Sequence, residues 1–221
     1  MDGLEATIAA KIVRSIIKDK KFKENVDIEV IESEKLSDED FNSCLTLLDQ
    51  NLGMLYTIIK GHDWKTEKVD EMKEEGLVYL LIKENGKISG FLSFNLVKDD
   101  ELSLLYLYEI QLMPQLRNKG LGTELLNLLG IIVKELNASK ELRKLWFDYF
   151  EEINDLNDPY LEITGIGLTV FSQNNKAFEF YQRNGYDFHI DSPRDRILRN
   201  KVFKPSYYLL EKHVKDTFVK L

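Results

Sequence analysis

The stretch Arg117-Asn118-Lys119-Gly120-Leu121-Gly122-Thr123 is the part of this chain best suited to chemistry. Glycines at 120 and 122 leave no side chain between the main chain and an approaching ligand. Successive N–H groups can then converge on one anion, and a helix starting there adds its positive end. Such a loop grips a pyrophosphate; the same residues also suit a plain helix start. A second segment, Asn174-x-x-Ala177-x-x-Phe180-Tyr181-x-x-x-Gly185-Tyr186, follows the apolar run Gly167-Leu168-Thr169-Val170-Phe171. Ala177, Phe180, Tyr181 and Asn184 recur at helical spacing, and Gly185 stands where a helix stops. Alone, that segment reads as a helix with an apolar stripe and a glycine cap.

The elements that must position these residues follow from periodicity and turn chemistry. Leu4, Ile8, Ile12 and Ile16 mark an amphipathic N-terminal helix over about 4–20. A presequence would share that pattern, but Asp2 and Glu5 count against one, so a packing helix is expected. Val26 to Ile31 alternates like a strand. Ser37-Asp38-Glu39-Asp40 starts a helix that continues through Phe41, Cys44, Leu45 and Leu48, and a further helical stretch runs from about Thr66 to Glu75. Leu77 to Lys83 and Ile88 to Val97 are strands joined through Asn85-Gly86, a hairpin signal. Leu102 to Leu112 is the strand before the glycine loop, and a helix follows to about Asn137. Leu161 to Phe171 precedes the Asn174 helix, and Tyr186 to Ile190 with Tyr207 to Leu210 form a closing strand pair. Leu142, Leu145, Trp146, Tyr149, Phe150 and Ile153 make an additional helical stripe over about 140–156. It packs on its own domain or offers a partner face.

Composition bounds the function. The chain has 221 residues, 43% hydrophobic and 31% charged, with a net charge of -8. That length suits one domain, residues 1–221. No apolar run reaches membrane-spanning length, so no membrane association is expected. The charge counts against a direct nucleic-acid partner and is compatible with a cationic one. One cysteine, Cys44, cannot form an internal disulfide and suits a reducing compartment. His62, His189 and His213 are scattered, so no metal site is expected.

The two segments, in order and about 50 residues apart, resemble the acetyl-coenzyme A loop and the N-x-x-A-x-x-F/L-Y-x-x-x-G-F/Y segment of the Gcn5-related N-acetyltransferases. Asn51-x-x-x-x-Tyr56, Tyr106-x-Tyr108-Glu109-x-Gln111 and Leu168-Thr169-Val170-Phe171 are similar to the N-alpha-acetyltransferase D family, over roughly residues 45–210. The resemblance implies an α/β (α+β) fold: a mixed, mostly antiparallel sheet with splayed central strands, flanked by helices. It implies acetyl transfer from acetyl-coenzyme A to a protein N-terminal amine, with the basic Ser-Gly-Arg-Gly tail of histones H-4 and H-2A as substrate, in cytoplasm and nucleus, by a monomer. Other amines, or a non-catalytic acetyl-coenzyme A-binding module, remain alternatives.

Carried onto this chain, the resemblance places the pantetheine arm on backbone groups of Gln111, Leu112 and Met113. It places the pyrophosphate on Arg117, Lys119, Gly120, Gly122 and Thr123, with Thr169 and Asn174 nearby. Glu109 would be the general base, Tyr181 would protonate the leaving thiolate, and Tyr56, Tyr106, Tyr108 and Tyr207 would meet the peptide. The residues alone also allow an ion-paired Glu109 and tyrosines that only pack. Two departures bear on specificity. His62-Asp63-Trp64-Lys65 replaces a Trp-x-Trp-Lys pattern, and Asn95-Leu96-Val97 stands where the family carries acidic residues, Asp99, Asp100 and Glu101 coming later. The chemistry asks little of a base, because a peptide α-amine of pKa about 7.8 costs only about 1 kcal/mol to neutralise at pH 7, against about 4–5 kcal/mol for a lysine. On regular alternation Tyr108 and Glu109 face opposite sides of the sheet, so sharing a site requires a bulge near 109–112.

Overall fold

The computed structural model describes residues 6–18, 20–22, 24–98, 103–147, 162–199 and 201–214. In chain order these form α1 (Ala6–Ile17), β1 (Asp27–Glu32), α2 (Asp38–Lys60), α3 (Trp64–Met72), β2 (Val78–Glu84), β3 (Lys87–Lys98), β4 (Ser103–Leu112), α4 (Leu121–Ala138) and α5 (Lys140–Phe147). Then come β5 (Ile163–Phe171), α6 (Asn175–Arg183), β6 (Asp187–Phe188), β7 (Arg196–Leu198), β8 (Lys201–Phe203) and β9 (Tyr207–His213). Seven strands make one sheet in the order β1-β2-β3-β4-β5-β9-β6, in which only β4 and β5 run parallel.

Both faces of the sheet are covered, which explains the continuous apolar run of β2. Val78, Leu80 and Ile82 face one core with α1, α4 and Tyr181, whereas Tyr79 and Leu81 face a second core with α2 and α3. The Ser37 side chain accepts a hydrogen bond from the Asp40 amide, and three acidic residues fill the first turn of α2, so cap and helix dipole agree. Asn85 and Gly86 adopt φ values of 51° and 76°, the left-handed pair that a tight hairpin demands.

Several boundaries differ from the periodicity. α3 begins at Trp64 and ends at Met72 because Trp64, Lys68 and Met72 form its buried stripe, four residues apart. The ribbon of β7 and β8 was not predicted; its strands are three residues long and exposed at every position, so no burial pattern marks them. The expected helix over 140–156 is present as α5 to Phe147, and its remainder lies outside the described residues, as do Asp99 to Glu101.

Two irregularities shape the site. β4 pairs with β3 as Ser93↔Glu109 and then Phe94↔Leu107, so Tyr108 is an extra, unpartnered residue. This bulge sits one residue before the expected 109–112. β4 and β5 pair only as far as Leu107↔Leu168. Beyond that point β5 continues with β9 alone, and the two central strands part.

β9 is held close to β5 at Gly165, where a Cβ would lie 2.5 Å from the Lys212 carbonyl oxygen. Gly165→Ala is expected to destabilise the protein by about 1–3 kcal/mol, measured by urea unfolding; an unchanged midpoint would contradict this pairing.

Candidate functional site

The glycine loop lies at the open end of the parted strands. Arg117, Asn118, Lys119 and Thr123 are exposed, and Asn118 and Gly120 have φ values of 61° and 94°. No side chain caps α4 at Gly120, so its first amides keep their capacity for an anion. Gly122 serves packing as well, because a Cβ there would stand 3.1 Å from the Phe180 ring. The loop and the open edge of β4 suit a phosphate-bearing cofactor with an extended arm.

Neighbouring polar groups tie this loop to the strand. Arg117 donates from Nε to the Leu112 carbonyl at 3.0 Å and from a terminal nitrogen to Asn51 Oδ1 at 2.5 Å. Asn51 in turn donates to Gln111 Oε1 at 2.9 Å and to the Leu112 carbonyl at 3.3 Å. Lys119 pairs with Glu24 at 3.0 Å, and the Met113 amide donates to the Ser89 carbonyl at 2.8 Å. Asn174 caps α6 by accepting from the Ala177 amide, and Thr169 meets the Tyr106 hydroxyl at 2.5 Å.

The bulge reverses the phase of β4. Leu105 and Leu107 face the α1/α4 core, and so do Ile110 and Leu112. Tyr108 and Glu109 therefore both lie on the α2/α3 side, where Glu109 is buried. Its Oε1 stands 2.6 Å from the Lys68 ammonium and accepts from the Tyr56 hydroxyl at 3.3 Å. Its Oε2 accepts from Gln111 at 2.8 Å. Lys68 also pairs with Glu71. Burial works against the Lys68 ammonium, but Glu109, Tyr56 and Glu71 outweigh it and hold its pKa above the usual lysine range.

Aromatic rings wall this carboxylate. Tyr56 stacks on Trp64 at 4.5 Å and meets Phe171, from the far side of the parting, edge-on at 4.8 Å. Tyr106 and Tyr108 contact at 5.2 Å. Burial raises the Tyr108 pKa, and Glu74 beside its hydroxyl adds to the shift. Tyr207, at the start of β9, is 42% exposed, whereas Tyr181 is buried against Phe180 and Tyr186. Tyr56, Tyr108 and Glu109 thus gather on the α2/α3 side, with Tyr106 against Tyr108, whereas Tyr181 belongs to the α1/α4 core. Asn51 and Phe171, noted in the sequence only as parts of motifs, join the Glu109 group, and so do Lys68, Glu71 and Glu74, which were not singled out. A lysine four residues after Trp64 and four before Met72, inside an apolar stripe, was the available signal for Lys68.

Comparison with known proteins agrees with this geometry. The acetyltransferase (GNAT) family pattern matches residues 43–152. The chain is 30% identical to N-alpha-acetyltransferase 40 of Saccharomyces cerevisiae over 166 residues, 67% of this chain and 52% of that protein. It thus spans about half the length of that relative. A GNAT-family acetyltransferase from Staphylococcus aureus Mu50 superposes with a TM-score of 0.51 at 18% identity, covering 86% of this chain and 100% of the other. The PaiA N-acetyltransferase of Thermoplasma acidophilum, solved with coenzyme A, gives 0.50 at 17% identity over 85% and 99%. At those identities the two structures speak for the fold.

Behind the site, burial pushes the Cys44 thiol from 9.0 to about 12, Asp40 adding to the shift and Lys83 opposing it. An unfolded chain loses that proton at lower pH than the folded one, so it binds fewer protons and stability falls as pH rises above about 9. The thiol contributes up to about 1.4 kcal/mol per pH unit in that window. Urea midpoints at about pH 8 and 10.5 should show a steeper fall for the wild type than for Cys44→Ala. Equal slopes would mean that the thiol is not shielded.

Proposed function

This chain belongs to the acetyltransferase (GNAT) family, and on that premise we propose that it transfers acetyl from acetyl-coenzyme A to the N-terminal amine of a protein with a basic tail. The Ser-Gly-Arg-Gly terminus of histones H-4 and H-2A is the proposed substrate, met in cytoplasm and nucleus. The observation that carries the proposal is the parting of β4 from β5 after Leu107 and Leu168, beside an uncapped glycine helix start. Glu109 lies in the parted segment.

Acetyl-coenzyme A supplies the activated acetyl thioester. The protein's task is then to orient the amine, take its proton and exclude water. The amides at Gly120 to Thr123, with Arg117 and Lys119, would hold the diphosphate. The β4 edge from Tyr108 to Met113 would align the pantetheine arm, once Arg117 and Asn51 give up the Leu112 carbonyl. The amine's proton passes toward Glu109, whose carboxylate is held between Tyr56, Lys68 and Gln111. Tyr181 remains the candidate proton donor to the leaving sulfur; burial, reinforced by Glu109, raises its pKa, which keeps the hydroxyl protonated and also makes it a weaker acid.

Two features support a cationic peptide, and a third an α-amine acceptor. Burial raises the pKa of Tyr106 and of Tyr108, and carboxylates add to both shifts, Glu71 against Thr169 and Lys68 at Tyr106 and Glu74 at Tyr108. The chain's net charge is -8. The curated relative is named for N-alpha acetylation.

Acetylation of a peptide panel is the decisive measurement. A Ser-Gly-Arg-Gly terminus should outpace unrelated N-termini, free lysine side chains and small amines, and its KM should rise with salt. Equal rates across the panel would overturn the tail specificity. Glu109→Gln should lower kcat by about 10²–10⁴-fold while coenzyme binding is retained. An unchanged kcat would remove Glu109 from the proton path.

A further inference from the structure

A lysine inside the core of a small domain needs an explanation. The Lys68 side chain is 5% exposed and belongs to the stripe through which α3 packs on the sheet. An apolar residue there, opposite a neutral residue at 109, would serve folding as well or better, because a buried ion pair seldom stabilises more than a hydrophobic pair of similar volume. Packing therefore gives no reason for the charge. Its geometry suggests one.

We propose that Lys68 is a positioning residue: its ammonium, shared with Glu71, fixes the Glu109 carboxylate in its ionised form with one acceptor position open to the substrate amine. This rests on the reading that Glu109 receives the amine's proton. A carboxylate offers about four acceptor positions. Lys68 and Tyr56 take two on Oε1, and Gln111 takes one on Oε2. One position on Oε2 remains for a fourth donor. Lys68 also lies 5.7 Å from the Tyr56 ring centre, so one ammonium steadies both the carboxylate and the phenol that donates to it.

The charges around Glu109 are mixed. Tyr56 contacts it from α2, Lys68 from α3 and Gln111 from β4 itself; Glu71 on α3 pairs with the same ammonium, and Tyr79 on β2 and Tyr181 on α6 feel its charge without touching it. With the tyrosines neutral, two carboxylates and one ammonium leave a single negative charge. An incoming α-ammonium completes the balance. Without Lys68 the buried Glu109 carboxylate would keep no cation beside it, with the partly exposed Glu71 as a second negative charge nearby, and Glu109 would be met by an extra proton.

The test is the pH dependence of kcat/KM with a Ser-Gly-Arg-Gly peptide. For the wild type we expect an acid limb governed by one proton, that of the amine. In Lys68→Met the limb should move to higher pH and steepen to two protons, so kcat/KM at about pH 7 falls at least about tenfold and largely recovers near pH 9, with the coenzyme KM unchanged. Lys68→Arg should restore the one-proton limb. Glu71→Gln, at a partly exposed position, should leave the limb in place or move it to lower pH. A uniform fall of Lys68→Met at every pH, or an upward shift in Glu71→Gln, would overturn the proposal. Should Lys68→Met fail to fold, the double variant Lys68→Met/Glu109→Gln removes both charges. It is expected to retain the residual rate of Glu109→Gln alone, because the two residues act as a unit; a further loss would overturn the proposal. If Glu109→Gln is itself fully active, the reading of Glu109 fails first, which separates the two failures.

Discussion

One extra residue in β4 governs this site. Tyr108 has no partner on β3, and everything after it is turned over relative to everything before it. Leu105 and Leu107 keep the α1/α4 core filled, and then Glu109 and Gln111 emerge on the opposite face beside Lys68, Tyr56 and Asn51. Without the bulge, Glu109 and Gln111 would enter the largely apolar α1/α4 core, where an unpaired carboxylate carries a heavy desolvation penalty. The same irregularity lies where β4 and β5 stop pairing. Two requirements of a transfer site, an open strand edge and a polar group beside it, come from one local distortion of the ladder.

A hydrogen-bonded chain then links the two halves of the site. Glu109 accepts from Gln111, Gln111 accepts from Asn51, and Asn51 accepts from Arg117 in the glycine loop. The proposed anion site and the proposed base thus share a continuous set of partners across β4 and α2. Asn51 stands at its centre because it contacts both the strand and the loop. Shifting Arg117 would change the partners of Asn51, and through it those of Gln111.

Much of this could be read from the residues in advance. The turn at Asn85-Gly86, the Ser37 cap and the glycine loop are local events, each decided within a few residues, and all three appear where chain chemistry placed them. The need for a bulge followed from strand alternation alone, although its position was off by one residue, because no local feature marks which residue loses its partner. What escaped notice was tertiary. Lys68 looks like any surface lysine until α3 is known to pack with Trp64 and Met72 inward. Asn51 and Glu71 gain their meaning from β4, roughly 40–60 residues away in the chain.

If the proposed transfer is right, an α-amine is favoured over a lysine side chain for a reason that needs no specific contact. A negative pocket draws in an ammonium, but it also stabilises that ammonium and so resists the proton loss that attack requires. An α-amine starts within about 1 kcal/mol of neutrality at pH 7, whereas a lysine starts about 4–5 kcal/mol away. A site with two carboxylates and no cation would deepen both deficits. Lys68, paired with both Glu109 and Glu71, halves the negative charge without removing attraction, and on the proposed reading the pocket would attract an α-ammonium and still release its proton. A lysine substrate would face the same residual attraction on top of a much larger deficit, and nothing in the cluster around Glu109 offsets it.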